Sequence, residues 1–360
     1  MKLTLIAGAR PNFIKIAPVI NVLNRINSGS HKTQYRLVHT GQHYDEEMSQ
    51  RFFEDLELPP ANINLGIGSG DHGWQTGQML IGIEQVLKDV RPDWVVVYGD
   101  TNSTLAGALA AVKLHLRLAH VEAGLRSFNR RMPEEHNRVL TDHCADLLLC
   151  PTQTAVENLR REGVTAGVHL VGDVMYDAVL QFGELARQKT TTLQGLGLTP
   201  KSYLLATIHR AENTDFSRRL KTILEAFAGL DEPVIFPLHP RTRQRMIEYG
   251  LDSLARNITF IPPVGYLDML ALELNARLIL TDSGGVQKDA YFFQVPCLTL
   301  RLETEWVETI QTGWNKIVAI DPDQIALAAR RAQRPNDPQP SLFGDGQAAE
   351  RIIELMKSWY

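Results

Sequence analysis

The run from His120 to Arg138, HVEAGLRSFNRRMPEEHNR, sets three carboxylates (Glu122, Glu134, Glu135) and four arginines (Arg126, Arg130, Arg131, Arg138) around a glycine turn. Acids and cations crowded in this way point to chemistry and not to packing. Glu122 follows the apolar segment Leu116 to Val121, at the carboxyl end where an open α/β sheet takes its ligand. It has no capping role, which makes it a site candidate. Glu134 and Glu135 open the next helix behind Pro133, and proline at the first helical position with acids in the first turn is also ordinary helix-start chemistry.

Other loops after apolar segments carry similar residues. Gly8-Ala9-Arg10-Pro11-Asn12 is followed by Lys15 one turn into a helix, and Arg10 and Lys15 suit a diphosphate or the sugar beside it; solvated surface cations are the plain alternative. This loop is not GxGxxG, so the dinucleotide fingerprint is absent and a dehydrogenase loses its main support. In Gly99-Asp100-Thr101-Asn102-Ser103-Thr104, Asp100 is either a catalytic carboxylate or, with Thr101, a helix cap. The second half offers Thr281-Asp282-Ser283-Gly284-Gly285-Val286-Gln287, whose Ser283, Gly284 and Gly285 let backbone N–H groups approach a phosphate at a helix amino terminus. Asp289, one turn on, is placed to accept hydrogen bonds from ribose hydroxyls or is simply a first-turn acid. His209-Arg210 and His239 put imidazoles at two more strand ends.

The elements that must position these residues read as βαβ units. Short Val, Ile and Leu runs alternate with amphipathic segments, the signature of parallel sheets covered by helices on both faces. Strands are expected at Lys2 to Ala7, Tyr35 to Thr40, Trp94 to Tyr98, Leu116 to Val121, Leu147 to Cys150 and His169 to Val171. A second series follows at Tyr203 to Ile208, Val234 to Pro237, Ile258 to Ile261, Leu278 to Thr281, Pro296 to Leu300 and Ile317 to Ile320. At 360 residues two domains are expected: 1–187, a linker region 188–202, 203–340, and a segment 341–360 whose last helix, Gln347 to Tyr360, could cross back onto the first domain. The fold class is α/β, two Rossmann-like doubly wound domains whose strand-end loops would line an interdomain cleft.

Composition narrows the partners. A net charge of -4 with interspersed signs argues against nucleic acid. Cys144, Cys150 and Cys297 show no metal-ligand spacing and read as small buried hydrophobes, with no metal site expected. No apolar run approaches the ~18 residues that would span a membrane, and a cytoplasmic protein is expected.

With these residues in view, the chain resembles the non-hydrolysing UDP-N-acetylglucosamine 2-epimerases almost end to end. GARPNFIK, TGQHYDEEM, YGDTNST, HVEAGLRS, MPEEHNR, HRAEN and TDSGGVQ are similar to family motifs and fall in family order. The resemblance implies a glycosyltransferase-B-type architecture, with the active site in the interdomain cleft and uridine diphosphate held mainly by the carboxyl-terminal domain. It implies a homodimer acting on a UDP-sugar in polysaccharide precursor synthesis, without cofactor. By motif, Arg10, Lys15, Asp100, Glu122, Glu134, Arg138 and His209 would surround sugar and diphosphate, and Ser283, Gly284 and Asp289 would hold phosphate and ribose. Asp100, Glu122 and Glu134 are the acid/base candidates; Arg10, Lys15 and His209 would stabilise the leaving group. His239, Arg210 and Gly285 complete the expected binding set.

Four positions depart from the family pattern. Asp289 replaces a frequent Glu, and Trp306 stands where T-E-R-P-E has arginine. Asp45 and Trp74 stand where bacterial members with an activating substrate site carry glutamine and arginine, so that activation is expected to be missing. GARPxFIK, FNRRMPEEHNR and ETEWVE resemble the subgroup with UDP-2,3-diacetamido-2,3-dideoxyglucuronate epimerases, whose extra carboxylate Arg130 and Arg131 could meet. A glycosyltransferase of the same fold, a hydrolysing epimerase and a nucleotide-sugar sensor are the competing readings.

Overall fold

The computed structural model describes residues 1–27, 33–41, 52–254 and 256–359. The chain divides into two units, Met1–Gln181 with Ser341–Tyr360, and Phe182–Pro340.

In the first unit seven parallel strands are found among the described residues: β1 (Lys2–Ala7), β2 (Gln34–His39), β3 (Ile63–Asn64), β4 (Trp94–Tyr98), β5 (Arg117–Val121), β6 (Leu147–Cys150) and β7 (Val168–Leu170). Their order is β3-β2-β1-β4-β5-β6-β7. The central strands are covered on both faces, so β4, WVVVY, is buried at every position and shows no alternation. The helix Asn102–Lys113 lies close on this sheet because its sequence is built of small residues. A Cβ on Gly107 would stand 2.9 Å from a Val97 methyl and 3.0 Å from one of Ile6. The helix Ala348–Ser358 returns to this unit and packs on the helix Arg10–Asn27. Asp177 accepts hydrogen bonds from Ala348 N and Ala349 N at its amino end, and Arg25 pairs with Glu350 at 2.6 Å.

The second unit has six parallel strands among the described residues, β8 (Leu204–Thr207), β9 (Val234–Pro237), β10 (Ile258–Ile261), β11 (Leu278–Thr281), β12 (Cys297–Thr299) and β13 (Asn315–Ile317). The order β10-β9-β8-β11-β12-β13 repeats the Rossmann pattern. In each sheet the order reverses beside the first strand, between β1 and β4 and between β8 and β11. The loops leaving those four strands carry Arg10, Asp100, His209 and Ser283.

The division differs from the expected one. Instead of a linker over 188–202, a continuous helix Val174–Lys189 crosses the boundary, because nothing in VMYDAVLQFGELARQK breaks it. Phe182 is fully buried in the second unit, edge-on to Tyr266, so the boundary falls before it and not after residue 187. Leu193, Leu196 and Leu198 pack on the second core, and Lys201 N bonds to Asn275 O, which ties residues expected to be linker into that unit. β13 lies two residues before the expected Ile317 to Ile320, paired Cys297 to Asn315, because its polar start, Asn315, is buried and bonded. β3 was not expected, since a two-residue edge strand leaves no apolar run.

Candidate active site

In the first unit the loops after β1, β4 and β5 are bound to one another. Asn12, in the first turn of its helix, accepts from Ala9 N at 3.2 Å and donates to Tyr98 O at 2.8 Å, joining the β1 and β4 loops. Lys15, one turn on, reaches Glu122 at 2.7 Å, and both side chains are nearly excluded from water. Glu122 has φ +72°, a left-handed conformation that a non-glycine residue seldom takes. Gly99 is required opposite: its φ is +65°, and a Cβ there would stand 2.8 Å from Lys15 Nζ. Arg10 opens the helix and is exposed.

Asp100 does not cap the following helix. Its half-buried carboxylate pairs with Arg138 Nη2. Thr101 occupies the cap position but makes no capping bond, its hydroxyl lying against Asn12 Oδ1 and Thr104 Oγ1. Arg138 also donates to Glu135 at 3.1 Å. The adjacent acids behind Pro133 thereby separate into two roles. Glu135 is buried and accepts from Ser127 N, Ser127 Oγ and Phe128 N, each at 2.9 Å, so it fixes the loop. Glu134 is exposed in the first turn.

His120 and Asp142, not singled out from sequence, hold this frame together with Arg126. His120, buried on β5, has Nε2 2.7 Å from Gly99 O and Nδ1 2.7 Å from Asp142. Burial pushes the Asp142 carboxyl up, but His120 and Arg126 together outweigh it and hold it below the usual carboxylate range. Arg126 is itself buried, spanning Asp142 at 2.6 Å and Glu162 through two bonds of 2.7 Å, so it braces the turn and is not a substrate cation. The available signal is a histidine between Ala119 and Val121 on a buried strand, which marks a polar group needing partners. Arg130 and Arg131, both exposed, line a pocket of about 510 Å³ with His72, Asn102, His136 and Asn137. Trp74 is half exposed in the helix His72–Val90, and Asp45, like most of TGQHYDEEM, lies outside the described residues.

In the second unit Asp282 organises the loop after β8. Fully buried, it accepts from His209 N, Arg210 N at 3.0 Å and Asn213 Nδ2 at 2.9 Å. His209 Nδ1 stands 3.6 Å from the same carboxylate. Although half-exposed, the His209 ring lies in a dense setting; desolvation, with Arg210 and Arg241 adding to it and Asp282 opposing, holds the imidazole below its ordinary value. The ring of His239 lies 5.8 Å away, and His239 Nδ1 accepts from Arg241 N, so it caps the helix Pro240–Glu248. Ser283 caps the helix Gly284–Phe292 through Val286 N. Gly284 is needed for close approach: a Cβ would meet Glu305 at 2.8 Å, whereas Gly285 faces more open space. Glu305 pairs with Arg301 at 3.0 Å and approaches Arg210 at 3.7 Å. Trp306 is buried, with Lys288 Nζ 4.1 Å above its ring, so a cation–π contact occupies this position. Asp289 is buried on the same helix.

Cys150 and Cys297 are buried free thiols, and burial raises the Cys297 thiol to about 12. Among the described residues no group of three or more His, Cys, Asp and Glu could hold a metal ion, and no helix is long and apolar enough to cross a membrane.

Fold and site together define a glycosyltransferase-B type of protein, two Rossmann-like units with acids and cations at one switch point and a helix capped by Ser283 at the other. The chain belongs to the UDP-N-acetylglucosamine 2-epimerase family, whose model matches residues 26–357. It is 50% identical to a UDP-N-acetylglucosamine 2-epimerase homolog of Methanococcus maripaludis, over 99% of this chain and all of that one. It is 47% identical to the UDP-2,3-diacetamido-2,3-dideoxy-D-glucuronate 2-epimerase of Pseudomonas aeruginosa, over 99% of each. The crystal structure of the Methanocaldococcus jannaschii UDP-GlcNAc 2-epimerase in complex with UDP-GlcNAc and UDP superposes with a TM-score of 0.90 at 45% identity, covering 99% of this chain and 100% of that one.

Proposed function

We propose that this isomerase is a non-hydrolysing UDP-N-acetylglucosamine 2-epimerase, interconverting UDP-GlcNAc and UDP-ManNAc. The observation that carries the reading is the buried Lys15–Glu122 pair at the carboxyl end of β5, next in the sheet to β4 with Asp100 at its end. A carboxylate takes the proton from carbon 2 as the bond from carbon 1 to the diphosphate oxygen breaks, leaving a carbon 1–carbon 2 double bond and free UDP. UDP then adds back to carbon 1 while a proton returns to the other face of carbon 2. Electrons balance without an oxidant. Asp100, Glu122 and exposed Glu134 are the proton carriers; Lys15, Arg10 and His209 meet the developing negative charge. Arg138 holds Asp100. On the nucleotide side, Ser283, Gly284, Gly285 and Arg210 take phosphate, Asp289 takes the ribose, and His239 completes the set.

The complex of the M. jannaschii relative with UDP-GlcNAc and UDP supports this substrate. Chromatography of a reaction started from UDP-GlcNAc should show UDP-ManNAc without accumulating free UDP and N-acetylmannosamine; accumulation would make the enzyme a hydrolase, and transfer to an added acceptor a glycosyltransferase. A second reading, the diacetamido uronate, is favoured by Arg130 and Arg131 in the pocket beside Asn102 and Asn137, since two guanidinium groups suit a carboxylate. The same proposal carries a cytoplasmic homodimer making polysaccharide precursors, with sedimentation giving the state of association.

A further inference from the structure

In the second unit the loop after β12 joins the loops after β8 and β11. Asn213 Nδ2 donates to Asp282 at 2.9 Å and to Leu300 O at 3.0 Å, which ties the β8 loop to the end of β12. Thr304 fastens the β12 loop to the helix Gly284–Phe292: its hydroxyl donates to Gln287 Oε1 at 2.7 Å and accepts from Trp306 N at 3.1 Å. Lys288, on the same helix, lies over the Trp306 ring. The chain is therefore fixed on both sides of Glu305. That residue divides its two oxygens. Oε2 is 3.0 Å from Arg301 Nη1, and both side chains are more than nine-tenths out of water. Oε1 stands 3.7 Å from Arg210 Nη2 and 2.8 Å from where a Cβ on residue 284 would lie, so glycine there lets the carboxylate approach. Arg210 is thus held at both ends, its backbone N–H by Asp282 at 3.0 Å and its guanidinium by Glu305.

A long arginine side chain loses rotamer freedom when it meets a ligand, and fixing it beforehand lowers that cost. We propose that Glu305 is a positioning residue, which holds the Arg210 guanidinium beside the first turn of Gly284–Phe292, where the diphosphate is taken. An acid in that place would by itself repel a diphosphate. Buried Arg301 offsets its charge, which leaves Glu305 able to orient Arg210 without opposing the ligand. The inference rests on the phosphate role of Arg210 proposed above.

The test measures binding of UDP, and of uridine, which lacks the phosphates, to the full chain by calorimetry. Arg210→Met should weaken UDP by roughly tenfold to a hundredfold, the range of hydrogen bonds to a charged group. Glu305→Gln should weaken UDP by roughly threefold to tenfold and leave uridine unchanged, the opposite sign to removal of a repelling charge. In the Arg210→Met background, Glu305→Gln should have no further effect on UDP. Should Arg301, left without this counter-charge, keep Glu305→Gln from folding, Arg301→Gln joined to Glu305→Gln removes both charges and should behave in the same way. Tighter or unchanged UDP binding, an equal loss for uridine, or an equal loss in the Arg210→Met background overturns the positioning role while leaving the phosphate contact of Arg210 intact. Unchanged UDP binding in Arg210→Met overturns that contact itself, and the positioning role with it.

Discussion

Lys15 Nζ sits 2.7 Å from Glu122 Oε1, with both side chains more than nine-tenths out of water. The pair joins the β1 helix to the end of β5, and Glu122 is held there in a left-handed backbone conformation. Removing one partner of a buried pair leaves the other charge alone, at a cost of about 3–5 kcal/mol. Lys15→Met should therefore lower both activity and melting temperature. Glu122→Gln removes the base and leaves Lys15 buried without its counter-charge, so kcat should fall by roughly 10²–10⁴ and the melting temperature should drop as well, with UDP binding, measured by calorimetry, retained.

Adjacent acids should behave differently. Glu135→Gln weakens bonds to Ser127, Phe128 and Arg138, and stability should drop by about 1–3 kcal/mol in urea titration. Glu134→Gln, at an exposed position, should change stability by no more than about 0.5 kcal/mol. Its kcat should nevertheless fall by roughly 10²–10⁴ if it carries a proton. Equal stability losses in the two variants would contradict this separation.

Asp177 gives a pH dependence. Burial, with Asp173 and Glu350 adding to it, raises its carboxyl to about 6, against the N–H bonds of Ala348 and Ala349 that lower it. The folded state thus holds the proton more tightly than the unfolded chain. This stabilising contribution is complete below about pH 4 and is lost as pH rises through about 6. Asp177→Asn does not titrate, so its stability relative to wild type should rise over that window by up to ~3 kcal/mol, read by thermal melts. A constant difference would show that Asp177 titrates normally.

Much of the frame was legible in sequence because buried parallel strands leave contiguous apolar runs. Strands β1, β4, β6, β9, β10 and β11 lie at the expected residues. The misses have a common cause. Residues 188–202 read as a linker because Leu193, Leu196 and Leu198 show no periodicity until the second core is there to receive them. In the site, Glu122 and Asp100 were visible as acids at strand ends. The split between Glu134 and Glu135, and the bracing by His120, Asp142 and Arg126, depend on which groups are buried together, and spacing along the chain does not encode that.

Activation by the substrate itself is expected to be missing, as Asp45 and Trp74 replace the glutamine and arginine of activated members. Initial rates against UDP-ManNAc should follow a hyperbola and should not respond to traces of UDP-GlcNAc. A sigmoidal curve, straightened by added UDP-GlcNAc, would refute this.

The most direct measurement is proton NMR in deuterated water with UDP-GlcNAc, and then with its 2,3-diacetamido uronate counterpart. Epimerisation by elimination and readdition requires deuterium at carbon 2 together with a new manno-configured UDP-sugar, and the faster of the two substrates is the natural one. Intact carbon 2 protons with both sugars, in a protein that still binds UDP, would contradict the proposed reaction.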